Sequence, residues 1–327
     1  MHLRVSAPAK VNLSLLVGPR RADGYHELFT VFAPIGVVDE LEFELIARPP
    51  DARPRGARPP GARSGGRRGD LHVRCAGAAG ESNLAARALR ALENATGWTI
   101  AGIVTVEKGI PIGAGLGGGS SDAAVALRAG VQAVAEAGGP IPDDASLRAI
   151  AREVGADVPF FLNARCSIGR GIGDVLEPLR LPILDIVVVF IARHLSTPRV
   201  YKAFDVQAAE EDFESFVRRA EEAGALWKRL ARDWDGGAIA EGAVATRVAA
   251  LLQNDLEKAS FSLLPLLEQT RKAMLERRAP GVLMSGSGST LFAVCRSGDE
   301  AEDLARRLGA AGLSARPTTT GWGPDLP

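Results

Sequence analysis

The chain has 327 residues, of which 46% are hydrophobic and 24% charged, so it does not have the composition of a disordered protein and can form one large domain or two. Lysine plus arginine and aspartate plus glutamate both number 39, and this balance excludes an overall charge that would attract nucleic acid or an anionic membrane. The three cysteines, Cys75, Cys166 and Cys295, are odd in number and far apart, which argues against a disulfide framework or a CxxC metal site and favours a reducing compartment.

The N-terminal segment carries no targeting signal and leads into a predicted strand. Residues 1–10 lack the apolar core of a secretory signal, and no run of about 18 apolar residues follows. We therefore expect a cytoplasmic protein with no membrane partner.

Residues 35–46 alternate apolar and acidic side chains from Asp39 onward, which is the period-two pattern of a half-buried strand.

A segment rich in arginine, proline and glycine interrupts this pattern at residues 47–70. It contains almost no apolar residues, so it cannot bury enough surface to offset the entropy of ordering it. We interpret it as a disordered loop insertion between two strands. The alternative is a basic arm that contacts RNA or a nucleotide tail, which is disfavoured because no aromatic residues are interleaved for base stacking.

The middle of the chain predicts a strand, a glycine-rich loop and a helix in direct succession. β-Branched residues favour the strand, and an alanine-rich run favours the helix. The elements expected here are a strand at 71–73, a helix at 82–92 capped by Ser82 or Asn83, a strand at 103–108, and a helix at 122–137 closed by Gly138 and Gly139.

The C-terminal half mixes strands and helices without the regular alternation of a parallel βαβ array, which indicates the α+β class. We place a domain boundary at residue 165, giving domains 1–165 and 166–327. The elements expected here are a strand at 182–191, helices at 210–232 and 244–276, the latter interrupted near Pro265, strands at 282–284 and 290–294 joined by residues 285–289, and a closing helix at 300–308.

The glycine-rich loop indicates an anion site. Five glycines among residues 113–119 let the backbone adopt positive φ and approach a ligand, so that successive N–H groups point at a phosphate. The helix that follows adds the positive end of its dipole, and two serine hydroxyls are available to phosphate oxygens or Mg²⁺. The predicted ATP-binding residues are Pro111, Ile112, Gly113, Ala114, Gly115, Leu116, Gly117, Gly118, Gly119, Ser120 and Ser121.

Three other nucleotide sites are less consistent with this loop. Gly113, Gly115 and Gly118 match a dinucleotide-binding pattern, which expects an acidic residue at the end of the next strand about 20 positions later. Here that region is still helical, and Glu136 is its only acidic residue. A Walker A loop requires a lysine before the serine, where this chain has Gly119. The His-Arg-Asp and Asp-Phe-Gly signatures of protein kinases are absent. A dinucleotide-dependent oxidoreductase stays open as the alternative from another class.

The loop and several further segments together resemble the GHMP kinases, and within them the branch that acts on 4-diphosphocytidyl-2-C-methyl-D-erythritol. The resemblance covers nearly the whole chain in the right order. The segments that carry it are residues 8–13 (PAKVNL), 18–28 (GPRRADGYHEL), 111–124, 155–161 (GADVPFF), 196–201 (STPRVY), 254–257 (NDLE) and 285–290 (SGSGST). The departures are the insertion at 47–70 and the C-terminal tail.

The resemblance implies a two-domain α+β fold, with an N-terminal domain like domain 2 of ribosomal protein S5 and a ferredoxin-like C-terminal domain. It implies transfer of the γ-phosphoryl group of ATP to the 2-hydroxyl of the cytidine-diphosphate methylerythritol, in non-mevalonate isoprenoid precursor biosynthesis. Mg²⁺ would arrive with ATP, because no side-chain cluster has the spacing of a protein metal site. We expect a monomer or weak homodimer, and the alternative within the class is a GHMP kinase for another small alcohol.

Lys10 and Asp157 are the candidate catalytic residues. An unpaired ammonium in the apolar run around Lys10 would be costly, so it should pair with Asp157 or with the γ-phosphate. The resemblance assigns Asp157 the proton-accepting role; capping of a turn is the alternative. Asn12, two residues beyond Lys10, lies on the same face of the expected strand, where it can bind the substrate by orienting its hydroxyl or a phosphate oxygen; a turn former at the strand end is the alternative.

Five more residues are candidates for the site. The resemblance implies that Tyr25 and His26 provide a stacking face and a hydrogen-bonding ring for cytosine. Gly286 and Gly288 are expected to close a second glycine loop over the reacting phosphate, although a plain hairpin turn explains them as well. Asn83 either borders the adenine pocket or only caps a helix.

Overall fold

The computed structural model describes residues 1–50, 70–77, 80, 82–207, 211–279 and 281–321, and all structural statements refer to these ranges. The strands are β1 (His2–Arg20), β2 (His26–Arg48), β3 (Leu71–Cys75), β4 (Thr99–Glu107), β5 (Ser167–Arg170), β6 (Val175–Pro178), β7 (Asp185–Phe190), β8 (Gln253–Asn254), β9 (Val282–Met284), β10 (Leu291–Cys295) and β11 (Ser314–Thr319). The helices are α1 (Leu84–Thr96), α2 (Gly118–Glu136), α3 (Asp144–Val154), α4 (Val158–Phe161), α5 (Thr197–Gln207), α6 (Phe213–Asp235), α7 (Glu241–Ala249), α8 (Glu257–Leu263), α9 (Leu266–Glu276) and α10 (Gly298–Ala310).

The larger sheet has the order β3-β4-β2-β1-β8, and β5 and β6 extend it by pairing with β2 and with each other. β1 and β2 form a long antiparallel hairpin that runs from the pair His2 and Glu44 to the pair Arg20 and His26. α1 and α2 pack together on this sheet, and apolar residues such as Phe43, Leu89 and Leu127 are fully buried between them. This arrangement fixes the glycine-rich loop between β4 and α2.

The smaller sheet is antiparallel and has the order β11-β7-β10-β9. Numbered one to four along the chain, its strands lie in the order 4-1-3-2, which is that of a ferredoxin-like βαββαβ unit. One apolar cluster contains Leu13 and Phe29 of the larger sheet together with Ile186 and Phe292 of the smaller one. The two sheets therefore share a core, and the predicted α+β fold is confirmed.

Most predicted elements occur close to their expected positions, and the interruption predicted near Pro265 is found between α8 and α9, but the predicted helix from residue 244 is broken a second time. Three helices, α7, α8 and α9, occupy this stretch, with β8 between the first two. At this second break, Gln253 and Asn254 pair with Ser14 and Leu15 of β1, and this backbone pairing takes the place of helical hydrogen bonds. The Asn254 amide also donates to the carbonyls of Met284 and Gly286 at 2.8 Å each, and its Oδ1 accepts the Leu256 amide.

Two predicted element boundaries differ in the structure. α2 begins at Gly118 rather than at residue 122. β2 continues to Arg48, so the first residues assigned to the insertion belong to a strand, and residues 51–69 lie outside the described ranges. β5 and β6, which follow residue 165, pair within the larger sheet. The division into domains 1–165 and 166–327 stays a prediction.

Candidate functional site

A cleft of about 1010 Å³ lies between the glycine-rich loop, the β1–β2 hairpin and the N-terminal part of α5. All predicted site residues except Ser121 and Gly288 line it, as does Asn83, whose side chain also caps α1 by accepting the Ala85 amide at 2.8 Å. The hairpin contributes Lys10 and Asn12 from its middle and Tyr25 and His26 from its tip, which distributes these residues along the cleft.

The glycine-rich loop has the backbone that its sequence predicts. Gly113, Gly115 and Gly117 have φ values of 70°, 77° and 71°, a region that side-chain-bearing residues rarely adopt. Gly117 is the N-cap of α2, so the positive end of a 19-residue helix points at the loop. Ser120 lines the cleft, whereas Ser121 is fully buried because α2 starts at Gly118 and its turn directs Ser121 inward. The role of the Ser121 hydroxyl toward phosphate or Mg²⁺ stays a prediction, and this burial does not favour it.

A buried ionic cluster at the base of this loop was not predicted. Asp39 is fully buried on β2, and its Oδ1 accepts the amides of Gly109 and Ile110 at 2.8 Å each. Lys108 donates from Nζ to Asp39 Oδ2 and, at 3.0 Å, to Asp122 Oδ2 on α2. Burial, together with the smaller effect of the Asp39 charge, raises the pKa of Asp122 to about 7 against the opposing effect of Lys108. The cluster ties the entrance of the loop to the helix at its exit.

Lys10 connects the glycine-rich loop to Asp157. Its Nζ atom donates to Asn12 Oδ1 at 2.7 Å and to the Gly115 carbonyl at 3.2 Å, and it lies 3.8 Å from Asp157 Oδ2. Asn12 is held in turn by a 2.8 Å bond from its Nδ2 to Thr30 Oγ1. The structure thus brings Lys10, Asn12 and Asp157 together.

The charges of this group are strongly affected by its surroundings. Burial lowers the pKa of the Lys10 ammonium, and the charge of Asp157 opposes this effect. The Asp157 side chain is 33% exposed toward the cleft that it lines. It precedes α4 but makes no capping hydrogen bond, so capping does not explain it. A carboxylate beside a buried ammonium is a suitable base for a hydroxyl proton.

Aromatic residues form the other end of the cleft. The His26 ring stacks on Tyr201 with centroids 5.1 Å apart and meets Phe204 edge-on at 6.1 Å. His26 Nε2 lies 2.7 Å from Asp205 Oδ1, while Tyr25 is 57% exposed at the hairpin tip. Of these, Tyr201 belongs to the segment 196–201 but received no role from the sequence, and Asp205 was missed. Both lie on α5, about 175 residues from His26, and no local pattern connects them to it.

The second glycine-rich loop joins β9 to β10 and packs directly against the first. Ser285 Oγ donates to the Gly115 carbonyl at 3.1 Å, and the Thr290 amide donates to the Ala114 carbonyl at 3.1 Å. Gly286 lines the cleft, whereas Gly288 lies behind it, with its carbonyl against Gly115. Residues 285–289 therefore form a hairpin turn between β9 and β10 and also contact the first glycine-rich loop.

Neither a metal centre nor a membrane segment is visible in the parts of the chain that the structure describes. No group of three or more His, Cys, Asp or Glu side chains is arranged to hold a metal ion there. No helix among the same residues has both the length and the apolar character needed to cross a bilayer.

Comparisons with known proteins agree with this geometry. The GHMP kinases N terminal domain model matches residues 83–165, and the GHMP kinases C terminal model matches residues 239–324. The 4-diphosphocytidyl-2-C-methyl-D-erythritol kinase of Thermus thermophilus is 39% identical over 306 residues, covering 94% of this chain and 92% of the relative. The enzyme of the same name from Chlorobium phaeobacteroides (strain BS1) is 36% identical, covering 93% of each chain.

Solved structures show the same relationship. A crystal structure of 4-(cytidine 5'-diphospho)-2C-methyl-D-erythritol kinase superposes with a TM-score of 0.67 at 35% identity, covering 98% of this chain and 100% of the other. Homoserine kinase from Cytophaga hutchinsonii superposes with a TM-score of 0.64 at 17% identity, covering 99% and 95%, and shares the fold. On these relationships, the chain belongs to the 4-diphosphocytidyl-2-C-methyl-D-erythritol kinase family of the GHMP kinases.

Proposed function

We propose that this chain transfers the γ-phosphoryl group of ATP to the 2-hydroxyl of 4-diphosphocytidyl-2-C-methyl-D-erythritol, in non-mevalonate isoprenoid precursor biosynthesis. The observation that carries the proposal is one continuous cleft. A phosphate loop lies on one side of it, the Lys10–Asp157 pair is in it, and an aromatic surface containing His26 lies at the other end. A donor nucleotide and a nucleotide-linked alcohol need these three parts together.

The proposed reaction divides the work among these residues. Asp157 accepts the proton of the 2-hydroxyl, the oxygen attacks the γ-phosphorus, and the bond to the bridging oxygen of the β-phosphate breaks to release ADP. Lys10 offsets negative charge near the reacting phosphate, and Asn12 orients the hydroxyl. The amides of residues 113–119 and the start of α2 hold the ATP phosphates.

The cleft also offers an oxygen ligand of the kind that Mg²⁺ prefers, the Ser120 hydroxyl, which lines it. Mg²⁺ brought with ATP would neutralise charge on the β- and γ-phosphates. Because a single chain supplies all of these groups, we propose that the enzyme works as a monomer or weak homodimer. We also propose that it works in the cytoplasm.

The test is a panel of acceptor alcohols scored by ADP release. The cytidine-diphosphate methylerythritol should give the highest kcat/KM, while mevalonate, homoserine and a blank without acceptor give rates near background. Higher kcat/KM with mevalonate or homoserine would replace the proposed substrate. NADH binding without ATP binding, measured by thermal shift, would support the oxidoreductase alternative instead.

A further inference from the structure

We propose that Asp205 is a positioning residue that fixes the tautomer of His26 and thereby makes the cleft select cytosine over uracil. This inference rests on the proposed function, because it assumes that the nucleobase of the acceptor lies against His26. The structural basis is the 2.7 Å contact between His26 Nε2 and Asp205 Oδ1.

The tautomer follows from the chemistry of the contact. A carboxylate oxygen only accepts hydrogen bonds, so the Nε2 atom beside Asp205 must carry the hydrogen. In the neutral imidazole, the other nitrogen, Nδ1, is then left as a hydrogen-bond acceptor. A carboxylate contact of this kind is how proteins assign one tautomer to a histidine ring.

The position of the ring is fixed as well. His26 is only 6% exposed, and Tyr201 and Phe204 confine its face and its edge. A ring flip would remove Nε2 from Asp205 and leave that carboxylate without its donor. Because α5 supplies Tyr201, Phe204 and Asp205 together, one helix sets both the orientation and the tautomer of the ring.

The preference for cytosine follows because His26 Nδ1 is a hydrogen-bond acceptor. Cytosine has an amino group at position 4, which donates hydrogen bonds, whereas uracil has a carbonyl oxygen there, which accepts them. An acceptor on the protein therefore favours cytosine and opposes uracil. With Asp205 absent, the ring can place its hydrogen on Nδ1 and donate to the uracil carbonyl, so selection weakens.

The experiment compares kcat/KM for the cytidylyl substrate with kcat/KM for its uridylyl analogue. We expect a wild-type preference of about 100-fold, since sites built for a hydrogen bond reject analogues that cannot make it. Asp205→Ala should reduce this ratio by about tenfold, the factor expected from the loss of one hydrogen bond. The change should come mainly from a higher KM for the cytidylyl substrate. KM for ATP should not change, and Asp205→Glu should restore most of the ratio.

A matched control removes the same kind of contact at another place, between β1 and β2. His2 Nε2 lies 2.8 Å from Glu42 Oε1, and both side chains are exposed, so Glu42→Ala should leave the ratio unchanged. The proposal would be overturned if Asp205→Ala also left the cytidylyl-to-uridylyl ratio of kcat/KM unchanged and only lowered the unfolding temperature. Asp205 would then only stabilise the position of α5.

Nitrogen NMR of protein labelled at histidine separates this inference from the proposed function. His26→Gln assigns the His26 signals among those of four histidines. Wild type should show hydrogen on Nε2 only, and Asp205→Ala should show a mixture of tautomers. If wild type fails to phosphorylate the cytidylyl substrate, the proposed function fails, but the tautomer result still tests Asp205. The same tautomer with and without Asp205 contradicts the inference.

Discussion

Asp157→Asn is expected to lower kcat by about 100- to 10,000-fold, the usual contribution of a general base, while ATP affinity changes less than about twofold. The amide has the shape of the carboxylate but cannot take the proton of the 2-hydroxyl. It also removes the negative charge that lies 3.8 Å from Lys10 Nζ. ATP binding persists because the phosphate loop and α2 are not altered.

Single-turnover transfer from labelled ATP, measured by rapid quench, isolates this step from product release. ATP affinity is measured separately with a fluorescent ATP analogue. Asp144→Asn provides the matched control, because its side chain is 93% exposed on α3 and it should react at the wild-type rate. Transfer at the wild-type rate by Asp157→Asn would exclude Asp157 as the base.

Gly115→Ala is expected to weaken ATP binding by about 10- to 100-fold, which corresponds to the 1–3 kcal/mol of a strained backbone position. Gly115 has a φ of 77°, where a side chain is unfavourable. A Cβ atom there would lie 2.5 Å from the Ser285 carbonyl and 2.7 Å from the Gly288 carbonyl. The two glycine-rich loops would have to separate, and the loop amides would no longer converge on the phosphates.

Gly138→Ala is the control for Gly115→Ala, because it introduces the same backbone strain without a steric conflict. Gly138 has a similar φ of 83° at the C-terminal end of α2, but no atom lies within 4 Å of its added Cβ. It should lower the free energy of unfolding by about 1–2 kcal/mol without a change in ATP affinity. Isothermal titration of ATP into both variants, with thermal unfolding curves, gives the comparison. Equal ATP affinity in the two variants would show that the contact between the loops does not matter.

The sequence predicted the parts of the site that depend on local geometry. The glycine-rich loop followed from positive-φ residues between a strand and a helix. The shared face of Lys10 and Asn12 followed from the period of two in a strand, and the structure places a 2.7 Å hydrogen bond between them. The pairing of Lys10 with Asp157 depended on the cost of an unpaired buried ammonium and on the resemblance to the family.

The parts that were missed depend on contacts between distant segments. Asp39 looked like one more acidic residue on the exposed face of a strand, yet it is fully buried and binds the entrance of the phosphate loop. Asp205 lies 179 residues from His26, so no spacing rule connects them. Asn254 lies where a predicted helix is interrupted, because the chain there pairs with β1, and the Asn254 amide bonds to the second glycine-rich loop. In each case a polar side chain finds its partner only after the chain has folded.

The most direct test of the proposed reaction is the structure of its product, determined by phosphorus and carbon NMR after incubation with ATP. We predict one new phosphomonoester on carbon 2 of the methylerythritol, an intact diphosphate, and one ADP for each product molecule. A phosphate on another hydroxyl, or release of inorganic phosphate without a phosphorylated alcohol, would contradict the assignment.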